Sequence, residues 1–374
     1  MMKEQLMISA DYAAFDAYMQ SLGIRRVLCV CGDHVNRLHI GRYFENLEQR
    51  TGIAAVRFSG FSPNPDLSEV RAGTALYRDA GCDAVCGIGG GSAMDTAKCI
   101  KLYAAVPDAE DLLTQAIVPN EIPLLAVPTT AGSGSESTRY AVICDRGNKV
   151  SVTHESCIPD AVLLDPSLLL SLPLAQKQAT AADALCHAVE SMWSVHSDAE
   201  STELASQAIR LLMHNLEGYL QSDLSACAGM LNAANLAGRA INITATTAGH
   251  AMSYRVTLKY GMPHGAAVAL CTERLFAHLS RDTSGCTDPR GEAHLRAALS
   301  RIADAMGCKD AAAASLRFTE LTKQLNIHAP EAMCDDDLDE LTASVNPTRL
   351  SRHPAALSAA SIRALYAEML NGRA

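Results

Sequence analysis

The sequence predicts a two-domain protein, an α/β domain over residues 1–166 followed by an all-α domain over 167–374. Three observations predict it. A chain of 374 residues is long for one core, since domains run to roughly 150 residues each. Up to residue 165, short apolar runs alternate with amphipathic stretches, the pattern of a parallel sheet with helical crossovers. Beyond Asp165-Pro166 that alternation gives way to long Ala/Leu-rich segments of helical character.

In order, RVLCVC (26–31), IAAVRF (53–58), DAVCGI (83–88), PLLAV (123–127), YAVIC (140–144) and AVLLD (161–165) read as strands of that sheet. Their nearly continuous apolarity fits strands covered on both faces. Residues 66–80 and 92–105 read as crossover helices. In the second half, helices are expected at 173–195, 199–221, 223–248, 262–280, 289–307, 312–326 and 358–370, with no strand among them. Pro166 and Pro173 punctuate the change.

With 48% apolar and 19% charged residues, the composition is that of an ordinary folded protein, not a disordered or fibrous one. A net charge of −10 argues against a general nucleic-acid binder and gives no reason to expect an anionic substrate. Thirteen cysteines, an odd number, and a start (MMKEQLMISA) without a basic region leading an apolar one predict free thiols in a cytoplasmic protein. No apolar run approaches the roughly 18 residues of a membrane span. Cys29-x-Cys31 and Cys82-x3-Cys86 lie in or beside short apolar runs and lack zinc-site spacing, so they read as small buried side chains.

Two motifs carry phosphate chemistry. In Ala84-Val-Cys-Gly-Ile-Gly-Gly-Gly-Ser92 a strand enters three glycines and a helix follows at once. Gly89, Gly90 and Gly91 let the backbone approach a ligand closely, while the helix start presents free N–H groups to phosphate oxygens. Ser92 and Asp95 have the spacing of an N-cap with an acid at the third helical position. A second cluster, Pro128-Thr-Thr-Ala-Gly-Ser-Gly-Ser-Glu136, follows another apolar strand. Loops after strands of one parallel sheet gather on one edge, so the pair suggests a dinucleotide. Neither matches GxGxxG or the P-loop.

A third constellation suits a metal. Asp183 and His187 are four apart in a helical pattern and share a face. His250 follows in Ala248-Gly-His-Ala-Met and His264 in Gly261-Met-Pro-His-Gly265. One carboxylate and three imidazoles suit Fe(II) or Zn(II). Spacing leaves their convergence open, because with twelve histidines spread over the chain a single one is more often an ordinary hydrogen-bonded core or surface residue.

GIGGGSAMDTAK, PTTAGSGSE, DALCHAVE, AGHAM and GMPHG, in this order, resemble the iron-containing (group III) alcohol dehydrogenase family, with its dehydroquinate synthase-like architecture. The resemblance implies an N-terminal dinucleotide-binding α/β domain, a helical domain and an active site in the cleft between them. It implies metal ligands at Asp183, His187, His250 and His264, with Fe(2+) or Zn(2+) bound, and NAD(H) or NADP(H) as cofactor. By the same carry-over, Gly89, Gly90, Gly91, Ser92 and Asp95 form the pyrophosphate loop, and Thr129, Thr130 and Ser133 the second loop. Asn64 of Ser62-Pro-Asn-Pro65 and Lys149 lie near the cofactor. Where the family usually carries an acid favouring NAD, this chain has Gly32 with Asp33 beside it, so both dinucleotides stay open. Many members carry a histidine four residues after the third ligand; here it is Tyr254, a candidate to relay a proton. Dimers are common in the family, and a homodimer is expected.

FSPNPDLSEV, SGSESTRYAVI, SVTHESCIPDAVLLDP, AGRAINITATTAGHAMSYRVT and SVNPTRL resemble the narrower branch of phosphonoacetaldehyde reductases. That implies reduction of a small phosphonate aldehyde to 2-hydroxyethylphosphonate in phosphonate biosynthesis, by hydride from the nicotinamide with the metal as Lewis acid. A phosphonate needs cationic, preferably forked, partners. Arg139 and Arg255 are the expected ones, with Lys259 and His154 weaker candidates. Lactaldehyde, succinic semialdehyde, a butanal or another small carbonyl is the alternative substrate. A non-redox lyase like dehydroquinate synthase is the other reading, disfavoured by one Asp and three His in place of one Glu and two His.

Overall fold

Residues 4–107, 112–113 and 115–371 are described by the computed structural model. The chain forms two units, Met1–Thr130 with Gly134–Leu172, and Ala131–Ser133 with Pro173–Ala374.

The first unit is built on β1 (Leu6–Ser9), β2 (Arg26–Cys31), β3 (Ala54–Phe58), β4 (Ala84–Gly89), β5 (Leu124–Pro128), β6 (Tyr140–Asp145), β7 (Asn148–Thr153) and β8 (Ala161–Leu164). Six of these make one parallel sheet in the order β1-β8-β5-β4-β2-β3. Its helices are α1 (Tyr12–Ser21), α2 (His39–Glu45), α3 (Leu47–Thr51), α4 (Leu67–Asp79) and α5 (Gly91–Ala104). Because alternate strand residues point to opposite faces, Val27, Cys29 and Cys31 pack with Phe15, Met19, Ile40 and Phe44. Leu28 and Val30 pack with Val70, Tyr77 and Ile100 on the other face. The cysteine pairs expected to be buried side chains are divided between these two cores, with Cys29, Cys31 and Cys86 in one and Cys82 in the other. All thirteen cysteines are unbridged.

The sheet departs from the sequence reading in two places. Residues 140–144 are not a strand of the parallel sheet. Tyr140–Asp145 pairs antiparallel with Asn148–Thr153 in a separate hairpin, closed by Arg146 and Gly147, both at positive φ (47° and 77°), the geometry of a two-residue hairpin turn. The edge strand β1 was not expected. It is four residues long and pairs with β8.

The second unit contains α6 (Leu174–Trp193), α7 (Ala199–Leu220), α8 (Leu224–Thr244), α9 (Ala248–Tyr260), α10 (His264–Arg281), α11 (Glu292–Ala305), α12 (Ala311–Gln324), α13 (Leu338–Ala343), α14 (Pro347–Leu350) and α15 (Ala359–Asn371). Among its described residues there is no strand, only an isolated bridge between Cys286 and Ala355. From Ala181 to Trp193, α6 is buried on every side, which its apolar and small residues permit. No helix among the described residues is long and apolar enough to cross a membrane.

The expected helix over 223–248 stops early, and α9 over Ala248–Tyr260 was not expected. Helix α8 ends at Thr244, Ala245 takes a positive φ of 57°, and α9 starts at Ala248. An alanine there is strained by about 1–3 kcal/mol, and buried polar contacts hold the bend. Thr244 Oγ1 donates to Ser191 Oγ at 3.1 Å and Ser194 Oγ to the Thr244 carbonyl at 3.3 Å.

Candidate metal centre and cofactor loops

The bend after α8 re-aims the chain so that α9 delivers His250 to α6. Asp183, His187 and His250 are buried there, with ligand atoms all within 4.8 Å of one another. His250 Nε2 lies 3.7 Å, and His187 Nε2 3.9 Å, from Asp183 Oδ1. His187 and His250 stack at 4.6 Å between ring centroids. His264, the first residue of α10, stands edge-on to His250 at 5.6 Å. The approach of α10 depends on Gly265, where a Cβ would fall 2.0 Å from the Ala179 carbonyl oxygen and 2.7 Å from Asp183 Cβ.

Asp183 Oδ1 and His250 Nε2 are buried without a hydrogen-bond partner, an arrangement that costs free energy unless something satisfies them. A divalent cation would do so: one carboxylate and neighbouring imidazoles are a donor set that iron and zinc accept. Burial alone would raise the Asp183 carboxyl, but His187, His250 and His264 hold it well below the usual range. Burial pulls the His187 imidazole down, toward the neutral form that a ligand needs.

Glu190, which the sequence reading did not single out, orients His250. It is fully buried one helical turn beyond His187. Its Oε2 is bonded to His250 Nδ1. Its Oε1 accepts from Gly249 N at 2.7 Å and Thr247 Oγ1 at 2.6 Å, and Thr247 Oγ1 in turn accepts from Trp193 Nε1 at 3.0 Å. A carboxylate on Nδ1 fixes that nitrogen as the donor and leaves the Nε2 lone pair for the metal. The signal was available, since Glu190 lies three residues after His187 and seven after Asp183, on the same face of α6.

In the first unit the two expected loops are neighbours. Gly89 of β4 pairs with Pro128 of β5, Thr129 N donates to the Gly89 carbonyl at 2.9 Å, and a Cβ on Gly90 would lie 3.1 Å from Thr130 Oγ1. The helix begins at Gly91 with Gly90 as N-cap and no side-chain cap bond, so the capping expected of Ser92 and Asp95 does not occur. Ser92 Oγ instead accepts from Asn64 N at 3.3 Å, bringing the Pro-Asn-Pro segment to the glycine loop. Asp95 turns inward, accepting from Ser135 Oγ at 2.8 Å and Val142 N at 3.0 Å. Ser135 Oγ also accepts from Lys98 Nζ at 2.9 Å. Burial pushes the Asp95 carboxyl up, opposed by Lys98, these hydrogen bonds and Lys149 on β7. Asp33, just past β2, pairs with Arg57 at 3.2 Å. Ser133 belongs to the second unit, where the adjacent Gly132 abuts α6: a Cβ there would lie 2.6 Å from Thr180 Cβ.

Tyr254 lies over His264 at 5.9 Å between centroids, one turn along α9 from His250. The cations expected to meet an anionic substrate have resident partners. Arg139 pairs with Glu155 at 2.7 Å. Arg255 points to Glu340, and Lys259 pairs with Asp337 at 2.7 Å and with Glu340. His154 Nδ1 accepts from Ser156 N at 3.1 Å. Arg139 and Arg255, the cations expected to bind the substrate, are thus each paired with a carboxylate distant in sequence.

Two family models match, one described as iron-containing alcohol dehydrogenase over residues 8–166 and one as the C-terminal part of that family over residues 177–370. The chain is 33% identical over 302 residues to a phosphonoacetaldehyde reductase of Streptomyces viridochromogenes, covering 76% of each. It is 35% identical over 272 residues to a 1,3-propanediol dehydrogenase of Klebsiella pneumoniae, covering 70% of this chain and 69% of that one. An iron-containing alcohol dehydrogenase of Thermotoga maritima superposes with a TM-score of 0.86 at 26% identity over 99% of both chains.

Proposed function

The chain belongs to the iron-containing alcohol dehydrogenase family, and on that premise we propose that it reduces phosphonoacetaldehyde to 2-hydroxyethylphosphonate with NAD(H) or NADP(H). The observation that carries the reaction class is the convergence of Asp183, His187 and His250, buried and with unsatisfied ligand atoms. When bound, the metal supplies Lewis-acid polarisation of the carbonyl and the reduced nicotinamide supplies the hydride. Asp183, His187, His250 and His264 would hold the cation. Glu190 keeps His250 in the ligating tautomer. Tyr254, beside His264, hands a proton to the new alcohol oxygen and is reprotonated from water. In the first unit, Gly89, Gly90, Gly91 and Ser92, with Thr129 and Thr130, cradle the pyrophosphate. Asp95 and Lys98 act behind the loop by fixing Ser135.

The phosphonate is supported by the likeness to the Streptomyces enzyme. A second reading, an uncharged short aldehyde, is favoured by the ion pairs at Arg139 and Arg255 and by the likeness to the propanediol dehydrogenase. A turnover screen of iron-loaded protein over aldehydes with and without a phosphonate, using NADH and NADPH, decides between them. The highest kcat/KM is expected for phosphonoacetaldehyde, and full activity after chelation and dialysis would refute the metal's role.

A further inference from the structure

Arg349 is the cation that the functional reading leaves unused. It lies on α14, in the Ser344-Val-Asn-Pro-Thr-Arg-Leu350 segment. It is half-buried, and its guanidinium carbon sits 4.8 Å from the centroid of the Tyr254 ring. Tyr254 in turn lies over His264, so two successive ring contacts join this guanidinium to the metal-site wall within one unit. Arg349 Nη1 donates to Thr246 Oγ1 at 3.1 Å. Thr246 adjoins Thr247, which holds Glu190, so the fork is anchored to the same bend that positions His250.

The contrast with its neighbours gives the inference its weight. Arg255 and Lys259, on the same helix as Tyr254, are met by Glu340 and Asp337. Arg349 pairs with no carboxylate among the described residues. A guanidinium has five N–H donors in a rigid plane; its contact with the Tyr254 ring and the bond to Thr246 place Arg349 and leave further donors for an acceptor. A half-buried fork with spare donors matches a tetrahedral oxyanion, which it grips through two parallel hydrogen bonds.

We propose that Arg349 is the specificity residue of the substrate site, gripping the oxyacid group of a short anionic aldehyde while Tyr254 orients the guanidinium. This rests on the functional reading above, and it assigns the anion to Arg349 in place of Arg139 and Arg255. Binding the far end of the substrate fixes where its carbonyl sits and lowers the entropic cost of reaching the reactive geometry.

The test compares kcat/KM for phosphonoacetaldehyde and for propanal in the iron-loaded full chain, for wild type, Arg349→Met, Arg349→Lys and Arg255→Met. Two lost charge-assisted hydrogen bonds predict that Arg349→Met lowers the phosphonoacetaldehyde-to-propanal ratio by about 100-fold or more. Arg349→Lys, which keeps the charge without the fork, restores part of that ratio. Arg255→Met moves it by less than about threefold, as for an exposed ion pair. Equal losses on both aldehydes in Arg349→Met would overturn the proposal by making the residue structural, as would an unchanged ratio. Methylphosphonate, tested as an inhibitor of propanal reduction, separates the two readings. If wild type prefers uncharged aldehydes yet methylphosphonate inhibits it and not Arg349→Met, the anion site stands and the phosphonoacetaldehyde reading fails. If wild type prefers phosphonoacetaldehyde and methylphosphonate inhibits Arg349→Met as it does wild type, the function stands and Arg349 is refuted.

Discussion

Glu190→Gln should weaken metal binding although it preserves shape. The carboxylate accepts from three donors, Gly249 N–H and Thr247 O–H on Oε1 and His250 Nδ1–H on Oε2. An amide offers one oxygen and one NH2. With its oxygen kept toward Gly249 and Thr247, the NH2 faces His250 Nδ1 and forces the proton onto Nε2, the nitrogen the metal needs. With the amide flipped, the NH2 opposes the Gly249 N–H. With Nε2 kept for the metal, either orientation leaves one buried donor unsatisfied, at about 1–3 kcal/mol, which at 1.4 kcal/mol per decade is roughly a 5- to 150-fold loss of affinity. Outer-shell changes at histidine ligands typically cost about 10- to 100-fold, so the two estimates overlap. The assay is anaerobic titration of Fe(II) or Co(II) against a chromophoric chelator near neutral pH, with circular dichroism confirming the fold. A dissociation constant within about threefold of wild type would refute the tautomer argument. So would an undiminished effect of Glu190→Gln in a His250→Ala background, because a group acting only through His250 has nothing left to act on.

Gly265→Ala places a Cβ 2.0 Å from the Ala179 carbonyl oxygen, so α10 must retreat from α6; a loss of roughly 1–3 kcal/mol in denaturant unfolding, with reduced iron content, is expected, and normal values of both would show that this contact does not position His264. The pH dependence of stability offers another check through His353, packed edge-on to Trp193 at 5.9 Å with neither ring nitrogen hydrogen-bonded. Burial, opposed by Glu190, pulls its imidazole down to about 4 from 6.5. Below pH 6.5 the unfolded chain binds a proton that the folded one refuses until about 4, so stability falls as the pH drops through that window, by up to roughly 3 kcal/mol. His353→Leu should flatten that part of the pH–stability curve, and an unchanged slope would show that the imidazole titrates normally.

The parts legible in the sequence were those in which chemistry follows from residues close together. The glycines after β4, the four-residue step from Asp183 to His187 and the switch from strand to helix patterning near Pro166 are local signals. What escaped depends on the third dimension. YAVIC reads like a buried parallel strand because its apolar run is the same; only Arg146-Gly147, a turn of two residues, diverts it into a hairpin. The end of α8 is hidden because Thr244-Ala-Thr-Thr247 carries no glycine or proline, and Ala245 is held at positive φ by buried hydroxyls rather than by preference. Arg255 seemed placed for substrate because it follows Tyr254, yet one residue along a helix is more than a quarter-turn of rotation, enough to face it toward Glu340.

That rotation bears on the net charge of −10, which by itself gives no reason to expect an anionic substrate. Exposed charges more than about 8 Å away are largely screened at physiological salt, so the overall charge governs encounter more than the bound state. What an anion meets is decided by which nearby cations are already neutralised. On α9 the neutralisation is strong: Glu340 serves both Arg255 and Lys259, and Asp337 meets Lys259 again. Such pairing removes two exposed cations that would bind any passing anion without regard to shape. It leaves discrimination to a guanidinium placed over the Tyr254 ring, where geometry as well as charge must match. Added salt should accordingly slow capture of an anionic aldehyde more than it alters the preference for that aldehyde once it is bound.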